Sequence, residues 1–341
     1  MIKEAIGKVV AGSDLNEDEM IGTMNERMSG EATPAQIGAF ITALRLKGET
    51  IDEITGAARV MREKATRVPV PAGDILVDTC GTGGDASGTF NVSTAAAFVV
   101  AGAGIPVAKH GNRSISSHCG SADVLEALGV NLNLTAEQIG RCIGEVGIGF
   151  MFAPLLHGAM KHAIGPRREI GIRTIFNMLG PLTNPAGANV QVMGVYDSDL
   201  TEKIARVLGK LGAKRALVVC GAGNLDEITV TGETKIADYH DNNVTVYTVT
   251  PEEVGLKLTT LDKIKGGASA AAAATQLKNI ISGEEGPCLD MVLMNAGAAI
   301  MAAGKSLDLQ VGVRMAGEII RSGAALKKLE AMVAFSRSLA A

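Results

Sequence analysis

A glycine-rich loop between a short apolar run and a long apolar segment limits the fold of this chain more than any other feature. The run covers residues 75–77, the loop covers residues 78–85, and residues 92–103 have the composition of a buried helix closed by Gly104. A strand that leads through a glycine loop into a helix is typical of one βαβ unit in a parallel sheet. We therefore predict an α/β domain that begins close to this loop.

The same alternation of strand and helix continues along most of the chain. Strands are predicted at residues 106–108, 190–196 and 216–219, and helices at residues 121–128, 200–211, 268–281 and 324–339. Strands that alternate with helices indicate a mostly parallel central sheet flanked by helices on both faces. This pattern predicts a large α/β domain over residues 68–341.

Residues 1–67 lack this alternation and are predicted to form a small α-helical domain. Thr33, Pro34 and Gln36 combine an N-cap, a proline at the first helical position and a capping-box glutamine. Residues 68–71 contain two prolines, which favour extended chain. We therefore predict a domain boundary and a hinge at residues 68–71.

The composition of the chain argues against several classes of protein. The formal net charge is −4 over 341 residues, which provides no basic field for nucleic acid. The five cysteines are widely spaced without a CxxC pair, so neither a disulfide framework nor a zinc site is predicted. The N-terminus lacks the apolar region of a signal peptide, and the apolar stretch at residues 95–103 is too short to span a membrane. We expect a soluble, cytoplasmic protein that binds neither nucleic acid nor membrane.

The glycines of the loop at residues 78–85 are predicted to form an anion-binding cradle. Backbone N–H groups in such a loop point at the ligand, and the positive end of the following helix adds to the attraction. The loop contains no Gly-Lys-Ser/Thr triplet, which excludes a Walker A motif. Gly81, Gly83 and Ala86 fit a dinucleotide pattern, although no acidic residue near position 105 would hold a ribose. Asp85 favours a sugar hydroxyl or a metal-bound water over a bare phosphate, and a sharp turn without a ligand remains the alternative.

A second polar loop, at residues 109–117, follows the second predicted strand. It contains the cations Lys109 and Arg113, the amide of Asn112 and three serine hydroxyls. Because the carboxyl ends of parallel strands meet at one edge of a sheet, the two loops are expected to lie together there. Together they suit a polyanion with more than one phosphate, while a charged surface loop is the alternative.

Several segments of the chain resemble the anthranilate phosphoribosyltransferase family. The segments that carry the resemblance are residues 81–85, 91–94, 109–117, 156–160, 166–167, 173–177, 179–185 and 226–228. They span the chain in the order and spacing of the family. The resemblance implies a small helical domain and a large α/β domain of the nucleoside phosphorylase/phosphoribosyltransferase-like type. It also implies that helices near residues 160–183 return to the small domain.

The resemblance further implies three sets of ligand-binding residues. The residues that match the family's phosphoribosyl pyrophosphate contacts are Gly81, Gly84, Asp85, Thr89, Asn91, Val92, Ser93, Thr94, Lys109, His110, Gly111, Asn112, Arg113, Ser114, Ile115, Ser116, Ser117 and Ser121. Those that match the anthranilate contacts are Gly81, Asn112 and Arg167. Those that match the magnesium ligands are Ser93, Asp226 and Glu227.

The residue types of the last two sets suit their ligands. The planar guanidinium of Arg167 can bind a carboxylate through two hydrogen bonds, and its position after Pro166 predicts that it lies at a helix start. Arg168 has the same chemistry, and only the Pro-Arg match favours its neighbour. Asp226 and Glu227 are hard oxygen ligands that suit a Mg²⁺ ion which keeps waters, although an isolated acidic pair is otherwise typical of a solvated surface.

The activity implied by the resemblance is transfer of the 5-phosphoribosyl group from phosphoribosyl pyrophosphate to the amine of anthranilate. The products are N-(5-phosphoribosyl)anthranilate and pyrophosphate, and the reaction belongs to tryptophan biosynthesis. An aromatic amine is unprotonated near neutral pH, so none of the five histidines is assigned a catalytic role. The family is commonly a homodimer through its small domain, and we expect the same here.

Two other functions are compatible with a fold of this kind. A pyrimidine nucleoside phosphorylase also acts at a ribosyl anomeric carbon, but the second polar loop and the Asp226–Glu227 pair argue against it. A non-catalytic nucleic-acid-binding relative would need a basic surface and eroded motifs, whereas this chain is acidic and its motifs are intact.

Overall fold

The chain begins with a bundle of helices. The computed structural model describes residues 1–71, 73–84, 87–113 and 119–339, without the side chains of residues 161–163. The first helices are α1 (Ile2–Val10), α2 (Glu17–Met28), α3 (Pro34–Lys47) and α4 (Ile51–Lys64). The hydroxyl of Thr33 accepts a hydrogen bond from the backbone N–H of Gln36, and the reciprocal bond completes a capping box. The predicted helix start at this point is confirmed.

The rest of the described chain forms one sheet and the helices around it. The strands are β1 (Val77–Gly81), β2 (Val107–Gly111), β3 (Ile148–Phe152), β4 (Val190–Gly194), β5 (Arg215–Gly221), β6 (Thr234–His240) and β7 (Asn243–Val249). The helices are α5 (Val92–Gly102), α6 (Ser121–Ala127), α7 (Ala136–Val146), α8 (Ala153–Leu156), α9 (Lys161–Ile170), α10 (Ile175–Leu179), α11 (Leu200–Lys210), α12 (Ala270–Ile281), α13 (Pro287–Ala302), α14 (Leu309–Arg321) and α15 (Ala324–Ser338). Among the described residues, no helix has both the length and the apolar character needed to cross a membrane.

The sheet is parallel over most of its width. Its strand order is β3-β2-β1-β4-β5-β6-β7, and the first five strands in that order pair in parallel. β6 and β7 are antiparallel and form a hairpin at one edge, with Asp241 and Asn242 at positive φ in its tight turn. The mostly parallel sheet predicted from the alternation is confirmed, whereas β3 and the hairpin lie outside the predicted strands.

Helices cover both faces of the sheet, as the sequence predicts. One face carries α5, whose apolar residues are buried against α13, α15 and the strands. The other face carries α11 and α10 together with the N-terminal bundle, and Phe40, Phe176 and Ile204 belong to this second apolar cluster. The parallel strands β1 to β5 are buried on both sides, as is typical of a parallel sheet covered by helices on both faces.

Two helices that follow the third strand pack on the N-terminal bundle. α9 contacts α2 and α3, and α10 contacts α3 and α4. Arg62 of α4 adds a polar link, because its Nε donates to the carbonyl oxygen of Leu182 at 2.7 Å and its Nη1 to that of Leu211 at 2.8 Å. The division into residues 1–67 and 68–341, with the hinge between them, stays a prediction.

The prediction that Arg167 lies at a helix start is wrong. α9 begins at Lys161, Pro166 lies inside it, and Arg167 is in its last turn. A proline inside a helix removes one N–H donor, and this helix accommodates the loss, so the Pro-Arg pair does not mark its beginning. Arg167 therefore lies at the negative end of the helix dipole, which favours its cationic form.

Candidate active site

Four parallel strands end with a glycine at the same edge of the sheet. These residues are Gly81, Gly111, Gly194 and Gly221. A Cβ atom on Gly194 would overlap the backbone oxygen of Asp226, and one on Gly81 would overlap the carboxylate of the same residue. Glycine at these strand ends therefore lets the segment that carries Asp226 lie across them. The predicted acidic pair is thereby brought next to the predicted glycine loop.

The glycine loop is held from two sides. Gly83 and Gly84 have φ values of 66° and 75°, which glycine adopts without strain. The backbone N–H of Gly83 donates to Oδ2 of Asp226 at 2.6 Å, and the carbonyl oxygen of Gly84 accepts from Nη2 of Arg173 at 2.7 Å. Asp85, a predicted substrate contact, lies outside the described residues. Arg173 belongs to a matched segment, but the sequence assigns it no role.

Lys109 is the central cation of the site. The residue is only 3% exposed, and its Nζ donates to the carbonyl oxygen of Thr79 at 2.6 Å and to Oγ of Ser93 at 3.4 Å. Asp78 is fully buried nearby. Burial raises the pKa of its carboxyl group, and Lys109 partly opposes that shift. The ammonium group thus joins β1, β2 and the first turn of α5.

The three predicted magnesium ligands lie in the same part of the fold. Ser93 and Glu227 line one small cavity together with Thr79 and Asn295, and Asp226 immediately precedes Glu227. Within the described ranges, no group of three or more His, Cys, Asp and Glu side chains could hold a metal ion. Magnesium does not require such a group, because it usually keeps several waters and shares substrate phosphate oxygens. Two carboxylates and a hydroxyl therefore fit Mg²⁺.

The first turn of α5 offers backbone rather than side-chain groups. The side chains of Val92 and Thr94 are buried, so a ligand contact there would be made by backbone N–H groups. Asn91 uses its amide to donate to the carbonyl oxygen of Cys119 at 3.2 Å, and Thr89 precedes it on the connecting segment. The unpaired N–H groups at a helix N-terminus attract anions.

Arg113 is already paired with acidic residues. Its Nη1 donates to Asp123 at 2.9 Å and to Glu126 at 2.8 Å, and its side chain is 45% exposed. These two carboxylates belong to α6. Both Nη atoms of Arg113 thus donate to carboxylates, so a phosphate bound there would compete with Asp123 and Glu126.

Gly111 and Asn112 of the second loop lie against the start of α6. A Cβ atom on Gly111 would overlap Oγ of Ser121, and that oxygen donates to the carbonyl oxygen of Asn112 at 3.4 Å. Four predicted phosphate contacts lie outside the described residues: Ser114, Ile115, Ser116 and Ser117.

The structure distinguishes the two adjacent arginines of α9. Arg167 is half-buried, and its guanidinium carbon lies 5.1 Å from the ring centroid of Phe176. Burial lowers the pKa of Arg167. Arg168 is exposed. An arginine packed on a ring is better suited to orient a planar acid than one in solvent.

A pair of buried histidines is a feature that the sequence does not predict. The Nε2 atoms of His110 and His157 lie 3.2 Å apart. Burial lowers the pKa of His110 to about 3 and that of His157 to about 4, so both rings are neutral at pH 7. Adjacent residues of a strand point to opposite faces, so His110 lies on the other side of β2 from Lys109. Both histidines belong to matched segments, but no spacing in the sequence joins them.

Comparison with known proteins assigns the chain to a family. The model described as "Glycosyl transferase family, helical bundle domain" matches residues 3–65, and the one described as "Glycosyl transferase family, a/b domain" matches residues 73–326. The anthranilate phosphoribosyltransferase of Desulfotalea psychrophila is 60% identical over 98% of this chain and 97% of its own length. The anthranilate phosphoribosyltransferase of Geotalea uraniireducens is 58% identical over 98% of this chain and 99% of its own length. The chain belongs to the anthranilate phosphoribosyltransferase family.

Solved structures of anthranilate phosphoribosyltransferases have the same fold. The enzyme of Thermus thermophilus is 45% identical with a TM-score of 0.93, covering 98% of this chain and 99% of that one. The Saccharomyces cerevisiae enzyme, solved in complex with PRPP and Mg, is 27% identical with a TM-score of 0.90. The match covers 99% of this chain and 98% of that one. The predicted family, the predicted fold and the assignment as a transferase enzyme are confirmed.

Proposed function

We propose that this chain transfers the 5-phosphoribosyl group of phosphoribosyl pyrophosphate to the amine of anthranilate in tryptophan biosynthesis. The observation that carries the proposal is that three elements meet at one sheet edge: the glycine loop, the buried ammonium of Lys109 and the Asp226–Glu227 pair. Backbone donors, a fixed cation and hard oxygen ligands are the groups that a magnesium-bound diphosphate requires.

The phosphoribosyl pyrophosphate binds along the glycine loop, the first turn of α5 and the second loop. Gly81, Gly84 and the N-terminal residues of α5 supply backbone N–H groups, and Lys109 supplies positive charge. The remaining predicted contacts, including Asn112 and Ser121, bind the sugar and its 5-phosphate. Because Lys109 is held by the carbonyl oxygen of Thr79, its charge is in place before the substrate arrives, which avoids reorganisation during the reaction.

Ser93, Asp226 and Glu227 would hold a Mg²⁺ ion that accompanies the diphosphate. When bound, the ion would neutralise charge on the departing pyrophosphate. Asp226→Asn and Glu227→Gln each remove one formal charge at nearly constant size. Each is expected to raise the magnesium concentration needed for half-maximal activity about tenfold. Identical magnesium titrations in the wild type and both variants would contradict the role of this pair as magnesium ligands.

Arg167 binds the carboxylate of anthranilate, with Gly81 and Asn112 as further contacts. The amine lone pair forms the new C–N bond at the anomeric carbon while the bond to the pyrophosphate oxygen breaks. The bonding electrons leave with pyrophosphate, and the nitrogen then loses a proton to solvent. No general base is required, because the aromatic amine is already unprotonated near neutral pH.

A cytoplasmic homodimer is proposed as the working form of the enzyme. The N-terminal bundle exposes large apolar side chains, with Val10 at 70% and Leu46 at 84% exposure. Packing of the bundles of two copies against each other would cover such side chains. Light scattering at several protein concentrations would measure the oligomeric state, and a monomer throughout would contradict the dimer.

Loss of anthranilate fluorescence tests the proposed reaction directly. The chain contains no tryptophan, so protein emission interferes little with the substrate signal. We expect fluorescence to fall only when anthranilate, phosphoribosyl pyrophosphate and Mg²⁺ are all present. Unchanged turnover in excess chelator would contradict the magnesium role. Phosphorolysis of uridine in place of this reaction would support the nucleoside phosphorylase alternative.

A further inference from the structure

Arg27 of α2 is a buried arginine with unused hydrogen-bond donors. Its side chain is 0% exposed, and its Nε and Nη2 atoms have no hydrogen-bond partner among the described residues. Its Nη1 contacts the sulfur of Met24 at 3.2 Å, which is a weak acceptor. A buried guanidinium without an anionic or carbonyl partner is unfavourable, because burial removes the water that solvates it.

A second arginine, Arg167, lies close to Arg27, and its positive charge makes the burial of the Arg27 guanidinium still less favourable. Its guanidinium carbon lies 3.8 Å from the ring centroid of Phe176, the same ring on which Arg167 packs at 5.1 Å. Burial, and secondarily the charge of Arg167, lowers the pKa of Arg27 to about 9. Two guanidinium groups thus pack on one phenyl ring, and contact with the ring compensates only part of their desolvation.

An aromatic carboxylate has the properties that this cluster lacks. It carries one negative charge, two oxygens that accept from a guanidinium, and a ring that packs on phenylalanine. Arg167 is half-buried whereas Arg27 is covered, so an acid meets Arg167 first. Reaching Arg27 then requires a shift of α9 on α2, two helices that are in contact.

We infer that Arg27 is a second carboxylate-binding residue, which acts with Arg167 to hold the aromatic acid substrate against Phe176. The inference rests on the proposed function for the identity of the acid. It assigns the N-terminal bundle a direct part in substrate recognition, because Arg27 lies on α2 while Arg167 lies on α9. The bound acid would then bridge these two helices.

Arg27→Met in the full-length enzyme tests this role. Replacing a buried charge by an apolar side chain is often neutral or stabilising, so the variant should unfold at the same temperature as the wild type or higher. Benzoate, which has the carboxylate but no amine, serves as a binding probe in calorimetry. We expect its Kd and the KM for anthranilate to rise about tenfold, the scale of one charge-assisted hydrogen bond. The KM for phosphoribosyl pyrophosphate should not change.

Two further variants keep the test decisive. Arg314→Met removes an equivalent charge from an exposed position of α14 and should leave both constants unchanged. Arg27→Lys keeps the charge but loses the planar fork, so it should weaken benzoate binding, and it decides the question if Arg27→Met does not fold.

The outcomes separate this inference from the proposed function. Unchanged benzoate binding in a folded Arg27 variant, or no benzoate binding to the wild type, would overturn the second carboxylate contact even if anthranilate is consumed. No consumption of anthranilate by the wild type would refute the proposed reaction, whereas benzoate binding that depends on Arg27 would still support the carboxylate contact.

Discussion

Two sides of the candidate site are built in different ways. The phosphate side, which comprises the glycine loop, Lys109 and the first turn of α5, uses backbone groups and a lysine whose donors are already bonded. The arginine side comprises Arg27, Arg167 and Phe176, and it uses side chains from three helices. Two donors of Arg27 lack an acceptor in the described chain. The phosphate side is therefore organised without its ligand, whereas the arginine side still has donors for one.

The largest effect is expected at Gly194, a strand-end glycine beside the phosphate side that leaves no space for a Cβ atom. The Cβ atom of Gly194→Ala would overlap the backbone of Asp226 and displace it from the strand end. We expect kcat/KM to fall about 100-fold, as for a misplacement near 1 Å. The free energy of unfolding, measured in urea, should fall by about 1–3 kcal/mol. Gly7→Ala is the control, since a Cβ there has nothing within 4 Å. Wild-type kinetics in Gly194→Ala would show that this close approach does not position the acid.

Removal of the lysine charge tests whether the phosphate side works by preorganised electrostatics. Lys109→Met keeps a long side chain but removes the ammonium group that contacts Ser93. We expect kcat/KM for phosphoribosyl pyrophosphate to fall about 100-fold, the scale seen when a preorganised electrostatic donor is lost. Steady-state kinetics with Lys64→Met, an exposed lysine of α4, provide the comparison. Equal kinetics in the two variants would remove Lys109 from the mechanism.

Arg167→Ala tests whether the two sides bind their substrates independently of each other. Loss of its charge-assisted hydrogen bonds should weaken the use of anthranilate by about 10- to 100-fold. The KM for phosphoribosyl pyrophosphate should change far less, because the phosphate side is held by other elements. Arg168→Ala is the matched control and should do little, since that side chain is exposed. If Arg167→Ala raised both Michaelis constants equally, the two sides would not be separable.

The smallest expected effect is on the free energy of unfolding at low pH, which depends on the His110–His157 pair. The folded-state pKa values of about 3 and 4 lie below the unfolded value near 6.5. As the pH falls below that unfolded value, the unfolded chain binds protons that the folded chain excludes, and stability is lost. Each histidine contributes about 1.4 kcal/mol per pH unit across this window.

His157→Gln should therefore reduce the pH dependence of the unfolding free energy by about 1.4 kcal/mol per unit between about pH 6 and about pH 4.5. Urea denaturation at a series of pH values measures this slope. His240→Gln provides the control, because it replaces an exposed histidine outside the buried pair. A slope that is the same in His157→Gln and the wild type would mean that the buried pair does not resist protonation.

The phosphate side could be predicted from sequence because its determinants are local. The glycine loop, the strand before it and α5 after it are contiguous, so their order alone places the loop at the strand end. The β6–β7 hairpin was also open to prediction, because residues 243–246 alternate in polarity and Asp241-Asn242 suits a tight turn.

The arginine side could be predicted only in part. Met20, Met24, Arg27 and Met28 lie on one buried face of α2, so helical spacing marks an arginine within an apolar stripe. The ring it meets, Phe176, comes from α10, far along the chain. Nothing in the local pattern joins two such positions, because their contact depends on how separate helices pack.

The link made by Arg62 has a consequence for how the two parts of the chain can diverge. Its guanidinium donates to the carbonyl oxygens of Leu182 and Leu211 rather than to their side chains. Every amino acid supplies such an oxygen, so substitutions at either receiving position keep the acceptor. These two hydrogen bonds therefore constrain the sequence on one side only: they require an arginine at the donating position, whereas at the receiving positions only apolar packing restricts the side chain.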